Sequence, residues 1–190
     1  MQHRGTQVIE TERLILRPYR PDDAEAMYRN WASDPEVVRF LTWPVHSSVQ
    51  VTETIVSGWV ARYEDPSCYN WGITRKGRDE VIGSISVVHT DENVSAAEIG
   101  YCLSRACWRQ GIMSEALKAI MDFLFGEGFL RVCACHDINN PASGRVMEKA
   151  GMKTEGCLRQ SGRNNTGIAD IVWHAALRDE YTAEKERRER

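Results

Sequence analysis

The chain has 190 residues, 42% hydrophobic and 27% charged, with a formal net charge of −3. That length suits one domain, burying roughly 70% of the surface its unfolded chain would expose. The slight acidic excess argues against nucleic acid as a partner, and no apolar run reaches the ~20 residues that cross a bilayer, so no membrane partner is expected.

The N-terminal stretch "MQHRGTQVIETERL" lacks the apolar segment of a secretory signal. Cysteines at 68, 102, 107, 133, 135 and 157 show neither C-x-x-C nor zinc-ligand spacing, so no metal site is expected. They read as small apolar fillers in a reducing compartment, the cytoplasm. Cys133 and Cys135, two apart in a strand-like run, share a face.

"ERLILRPY" (12–19) alternates and predicts a strand. Asp22 then offers an N-cap with Glu25 completing a capping box. Ala24, Met27, Tyr28 and Trp31 follow at helical spacing, and Asp34-Pro35 stops that helix. The loop "TWPVHSS" (42–48) ends in a serine N-cap, and Val51, Ile55, Val56, Trp59, Val60 and Tyr63 form a helical stripe behind it. Segments 69–75, 80–90 and 97–103 predict three strands, joined as an antiparallel meander by the turns "KGRDE" and "DENVS".

The stretch "CWRQGIMSEA" (107–116) leads into a helix through Ala116, Leu117, Ile120, Met121, Leu124 and Phe125, closed by "GEG". "LRVCACHD" (130–137) predicts a buried strand. Asn140 caps the next helix, with Pro141 at its first position and Gly151 as its stop. Segments 152–160 and 169–177 give two last strands. The mixed-charge run "EKERRER" (184–190) reads as a solvated or frayed tail. Antiparallel strands come first, and a β-α-β crossover follows.

A helix start after a strand leaves about four N–H groups unpaired and carries roughly half a positive charge, which suits an anion. "RQGIMSEA" fits such a cradle, with Gly111 for close approach and Arg109 for charge; it also fits an ordinary β-α turn. Spacing alone does not choose. The dinucleotide fingerprint G-x-G-x-x-G is missing. "GMKTEGCL" (151–158) opens like a P-loop, but Cys157 stands where lysine is required.

The element order, "AEIGYCL" (97–103), "WRQGIMSEALKAIMDFLF" (108–125) and "NNPASGRVMEKAGM" (139–152) resemble the GNAT N-acetyltransferases. "TERLILRPYRPDDAEAMY" and "GIADIVWHAALRDEY" resemble their Rim-type branch, the ribosomal-protein N-terminal acetyltransferases. The resemblance covers residues 8–182, one domain, with 183–190 as a charged tail. It implies an α/β (α+β) GNAT fold: a mixed, mostly antiparallel sheet of about seven strands with four helices and a splayed parallel pair at its centre.

The resemblance also implies a site. Backbone amides of Arg109, Gln110, Gly111, Ile112, Met113 and Ser114 would hold the pyrophosphate of acetyl-CoA, with Met113 departing from the usual Gly or Ala. Backbone near Tyr101, Cys102 and Leu103 would line the pantetheine arm in the splay, and the Asn140 side chain would bond it. Glu98 is placed to take the amine proton, often through water. Met147 occupies the position where many relatives have a tyrosine acid, so Ser143 becomes the candidate for meeting the leaving thiolate.

The acceptor would lie between the first two helices and the last hairpin, near loops 40–48 and 161–167, with Trp43, His46 and Trp173 as candidate lining. No metal is implied, and relatives are often homodimers. Three readings stay open: acetyl transfer to a protein N-terminal α-amine, the same chemistry on a small amine, and a CoA-binding module without turnover.

Overall fold

The computed structural model describes residues 3–189. Eight strands form one sheet: Ile9–Glu10 (β1), Leu14–Arg17 (β2), Asn70–Arg75 (β3), Arg78–Asp91 (β4), Ala96–Leu103 (β5), Arg131–Asp137 (β6), Lys153–Asn164 (β7) and Gly167–Leu177 (β8). Their spatial order is β1-β2-β3-β4-β5-β6-β8-β7. Every neighbouring pair is antiparallel except β5 and β6, which run parallel. The α-helices are Asp23–Met27 (α1), Pro35–Val38 (α2), Val49–Ala61 (α3), Ile112–Gly126 (α4), Pro141–Ala150 (α5) and Arg178–Glu189 (α6).

The sheet separates two apolar layers. On one face α4 lays Ile112, Met113, Ala116, Leu117, Ile120, Met121, Leu124 and Phe125 against Trp71, Ile85, Ala97, Ile99 and Val132. This is the predicted stripe, extended by one turn toward the N-terminus. Truncating a fully buried member such as Leu117 to Ala typically costs about 2–5 kcal/mol. On the other face Ala24, Met27, Trp31 and Val56 pack with Tyr19 and Val81. Alternation along β5 therefore sends Ala97, Ile99, Tyr101 and Leu103 toward α4 and α5, and Glu98 and Cys102 to the opposite face.

Several local expectations change. Asp22 occupies the position before α1 but makes no side-chain cap. Asp23 is the engaged acid: its carboxylate accepts both Arg17 Nη atoms at 2.8 Å and the Arg20 N–H at 2.7 Å. A buried guanidinium requires a carboxylate partner, and that demand overrides the capping box. The helix runs on as a π-helical turn over Tyr28–Ala32. Asp34 does not simply end it; its Oδ1 accepts the Glu36 N–H and starts α2.

In α3 Thr52 and Val56 are buried while Val51 and Ile55 are each 38% exposed, so the stripe is narrower than its spacing predicts. Segment 183–189 continues α6 instead of fraying, with Lys185 Nζ 2.9 Å from Asp122. At the other end the described chain already packs before residue 8: the Arg4 N–H donates to buried Glu127 at 2.8 Å, and Thr6 Oγ1 donates to the Cys68 carbonyl.

Candidate active site

Strands β5 and β6 pair for only three positions, Ala96–Arg131, Ala97–Val132 and Glu98–Cys133. Beyond Glu98, β5 continues for five residues paired to β4, and beyond Cys133, β6 continues paired to β8. Both strands therefore turn an unpaired edge toward each other. A bulge at Val88 of β4, opposite Ile99 and Glu98, marks the place where β5 diverges. Buried backbone donors and acceptors are rarely left without partners, so such an opening suits a ligand with amide groups of its own.

The turn 109–114 lies where β5 hands over to α4. Arg109 and Gly111 both hold positive φ, +61° and +74°. Their left-handed geometry swings successive N–H groups to one side, and glycine adopts it at little cost. The N–H groups of residues 109–114 find no protein acceptor among the described residues. Met113 is 4% exposed and joins the core, so its side chain points away from the turn.

The turn is clamped from below by residues the sequence did not single out. Arg13 Nη1 donates to the Gln110 carbonyl at 3.0 Å, and Arg13 Nε donates to Glu115 at 2.6 Å. Thr11 Oγ1 donates to the other Glu115 oxygen, and Arg75 Nη2 donates to Gln110 Oε1, both at 2.6 Å. Burial works to raise the Glu115 carboxyl, but the bonds from Thr11 and Arg13 outweigh it and hold the group below the usual carboxylate range. A carboxylate in the first turn of α4 also suits the helix dipole.

Across the splay, the Tyr101 hydroxyl lies 2.9 Å from Ser143 Oγ and 3.0 Å from the Ser143 carbonyl. Asn140 sits at the N-cap position of α5, yet its side chain makes no capping bond and no other hydrogen bond to a described residue. Its amide is thus available to a ligand. Leu103 is buried, and its carbonyl already accepts the Trp108 indole N–H at 2.8 Å.

Glu98 faces the opposite side of the sheet, at the point where the strands part. Cys135 Sγ donates to Glu98 Oε1 at 3.9 Å. Burial, then the Glu98 charge and Cys133, push the Cys135 thiol up to about 12, so it stays protonated and is no nucleophile at neutral pH. Trp173 stands opposite Cys135 on β8, half-buried on the same face.

Trp43 and His46 pack on each other with ring centroids 5.2 Å apart. His46 is buried, its Nδ1 2.8 Å from Thr52 Oγ1, and it fastens the loop to α3. The hairpin tip is docked on that loop: Asn165 Nδ2 donates to the carbonyls of Val38 and Trp43, both at 2.8 Å. A cavity of about 540 Å³ opens there, lined by Thr42, Arg163, Asn164, Asn165, Thr166 and Gly167. One of its lining residues, Asn164, donates through Nδ2 to Asp137 Oδ2 at 2.7 Å, and Asp137 lies two residues along β6 from Cys135. Loops 40–48 and 161–167 are thus tied together through Asn165.

Residues 13–153 match the acetyltransferase (GNAT) domain family. The chain belongs to the GNAT acetyltransferases. It is 33% identical over 80% of its length to the uncharacterized N-acetyltransferase YoaA of Bacillus subtilis (strain 168), covering 86% of that protein. It is also 33% identical over 73% of its length to the ribosomal-protein-serine acetyltransferase of Escherichia coli (strain K12), covering 78% of it.

Among solved structures, the ribosomal L7/L12 alpha-N-protein acetyltransferase RimL in complex with coenzyme A superposes with a TM-score of 0.79 at 25% identity, over 90% of this chain and 98% of that one. The GNAT domain makes the protein an acyltransferase, and the mixed, splayed sheet is the fold that the resemblance implies. Two further helices and one short strand exceed the expected count. Among the described residues no group of three or more His, Cys, Asp or Glu could hold a metal ion. No helix of the described residues is long and apolar enough to cross a membrane.

Proposed function

We propose that this protein moves the acetyl group of acetyl-CoA onto a primary amine, a protein N-terminal α-amine, by direct attack in a ternary complex in the cytoplasm. The observation that carries the reading is the early end of the β5–β6 pairing, with Glu98 at the fork and the open amides of 109–114 beside it. Those amides would hold the pyrophosphate, and the unpaired edges near Tyr101, Cys102 and Leu103, with the Asn140 side chain, would hold the pantetheine arm. Residues 8–182 would form the catalytic domain.

Glu98 would accept the amine proton through water as nitrogen attacks the thioester carbon. The electron pair of the breaking C–S bond leaves on sulfur, beside Ser143. An α-amine with pKa near 7.7–8.0 is about one-tenth neutral at pH 7, whereas a lysine near 10.4 is neutral in fewer than about one molecule in a thousand. Mild base help from a carboxylate therefore suffices for an N-terminus. The Rim-type relatives support the same acceptor.

Thiol release from acetyl-CoA on a panel of N-terminal peptides and small amines tests this. Turnover on α-amino peptides is expected. Turnover confined to a polyamine, amino acid or aminoglycoside moves the acceptor to small molecules. CoA binding without release from any acceptor leaves a binding module, and failure of acetyl-CoA to raise the melting temperature removes the cosubstrate.

A further inference from the structure

The Tyr101 side chain has no part in the reading above, which uses only its backbone, yet its hydroxyl makes two hydrogen bonds to Ser143 that tie β5 to α5 across the mouth of the splay. Tyr101 lies three residues past the last β5–β6 pair, on the α5 side of the sheet. Ser143 is the third residue of α5, and its own N–H is occupied by the Asn140 carbonyl. Met147, one turn on, is 1% exposed and carries no proton.

A phenol has one proton and a serine hydroxyl one. If Ser143 turns its proton to an outside acceptor, its Oγ is left to accept the Tyr101 proton at 2.9 Å. If no outside acceptor is present, the Tyr101 proton goes to the Ser143 carbonyl at 3.0 Å, and Ser143 donates back to the phenol. The geometry serves both arrangements without moving a heavy atom.

We infer that Tyr101 is a positioning residue for the acetyl transfer: it donates to Ser143 Oγ and so aims the serine proton at the sulfur that leaves. This rests on the proposed reaction and adds a residue to it. Burial pushes the Tyr101 phenol well above its ordinary value, with the Ser143 bond holding it back in part. A phenol so placed keeps its proton, so Tyr101 orients and does not supply the proton. Sulfur takes the electron pair of the broken C–S bond and is met by the Ser143 O–H; the proton it finally carries balances the one the amine released.

The test compares Tyr101→Phe, Ser143→Ala and the double variant. Each single variant should lower kcat about tenfold, within the range of a misplaced acid–base group, with the acetyl-CoA KM changed less than about twofold. The double variant should be no slower than Ser143→Ala, because the phenol acts only through the serine.

A second readout needs no acceptor. The pKa of the CoA thiol bound to each protein, followed by thiolate ultraviolet absorbance, should rise by about half a unit to one unit in both single variants, since a donor to the charged form is lost. Additive losses in the double variant overturn the inference, as do a wild-type kcat with an unmoved thiol pKa in Tyr101→Phe, or a loss confined to CoA affinity. A blank acceptor panel with the thiol pKa shifted as expected removes the proposed acceptor instead and leaves Tyr101 its role.

Discussion

Glu98→Gln keeps the side chain's shape and its place beside Cys135 while removing the charge that the proposed reaction uses to take a proton. Its effect should follow the protonation of the acceptor. Near pH 6.5 only a small fraction of an α-amine is neutral, and the variant should lose about 10–100-fold in kcat/KM. Near pH 9 most of the amine is already neutral, and the loss should shrink to a few-fold. A pH–rate series on wild type and variant checks this; an equal loss at every pH counts against a base role.

At this scale the sequence was informative where a motif was short. Glu98, Asn140 and Ser143 are candidates because they lie inside "AEIGYCL" and "NNPASGRVMEKAGM", the motifs that carry the family resemblance. Tyr101 was singled out too, but for its backbone. Its hydroxyl meets a residue 42 positions away, which no local pattern registers.

The turn before α4 depends on a clamp between two elements. Arg13, just before β2, donates to both the Gln110 carbonyl and the Glu115 carboxylate, so the turn is held from β2 and from inside α4 together. Glu115→Ala should free Arg13 and leave the turn to fray. The expected result is an acetyl-CoA KM raised about three- to tenfold with kcat little changed, because ground-state and transition-state binding weaken alike. Stability should drop by about 1 kcal/mol, modest because the pair is partly exposed. Saturation kinetics and a thermal melt read the two effects; a fall in kcat at constant KM would overturn the clamp's assignment to binding.

The stripe of α4 was legible because apolar residues repeat at helical spacing along one segment; six of its eight buried positions follow from that spacing, and the structure adds Ile112 and Met113. The clamp was not, because Arg13 and Glu115 are 102 positions apart. Asp22 and Asp23 differ for another reason: both suit a helix start, and only the burial of Arg17, a property of the packed fold, decides which acid is engaged.

The molecule as a whole has a predicted pH limit, set by imidazoles that the fold keeps neutral. The His136 Nδ1 lies 2.8 Å from the Asp137 carbonyl, which can only accept, so that nitrogen carries the proton. His136 Nε2 then accepts from His174 Nε2 at 3.2 Å, and His174 Nδ1 accepts the Thr154 hydroxyl proton at 3.3 Å. Each bond in this chain then has one donor and one acceptor. Gly144 leaves the room for it: a Cβ there would lie 2.6 Å from His136 Nε2.

Burial first, then His136, lower the His174 pKa below its ordinary 6.5, against smaller opposing effects of Glu148 and Glu155. Burial lowers His46 likewise. A base whose pKa is depressed on folding costs nothing at high pH, where both states are neutral. As pH falls through about 6.5 the unfolded chain takes up protons that the folded chain refuses, and stability declines until the folded pKa is passed. The carboxylates held low, Glu115 among them, act in the same direction but only nearer pH 4, as their folded pKa values are approached.

The melting temperature should therefore fall between pH 7.5 and 5.5, by about 2–4 °C for each kcal/mol lost in a chain of this size. His174→Gln should start less stable at pH 7.5 and show a shallower decline, since one of the two depressed imidazoles is gone. Differential scanning calorimetry at four or five pH values measures both slopes. Parallel slopes for wild type and variant would mean that His174 is not kept neutral by the fold.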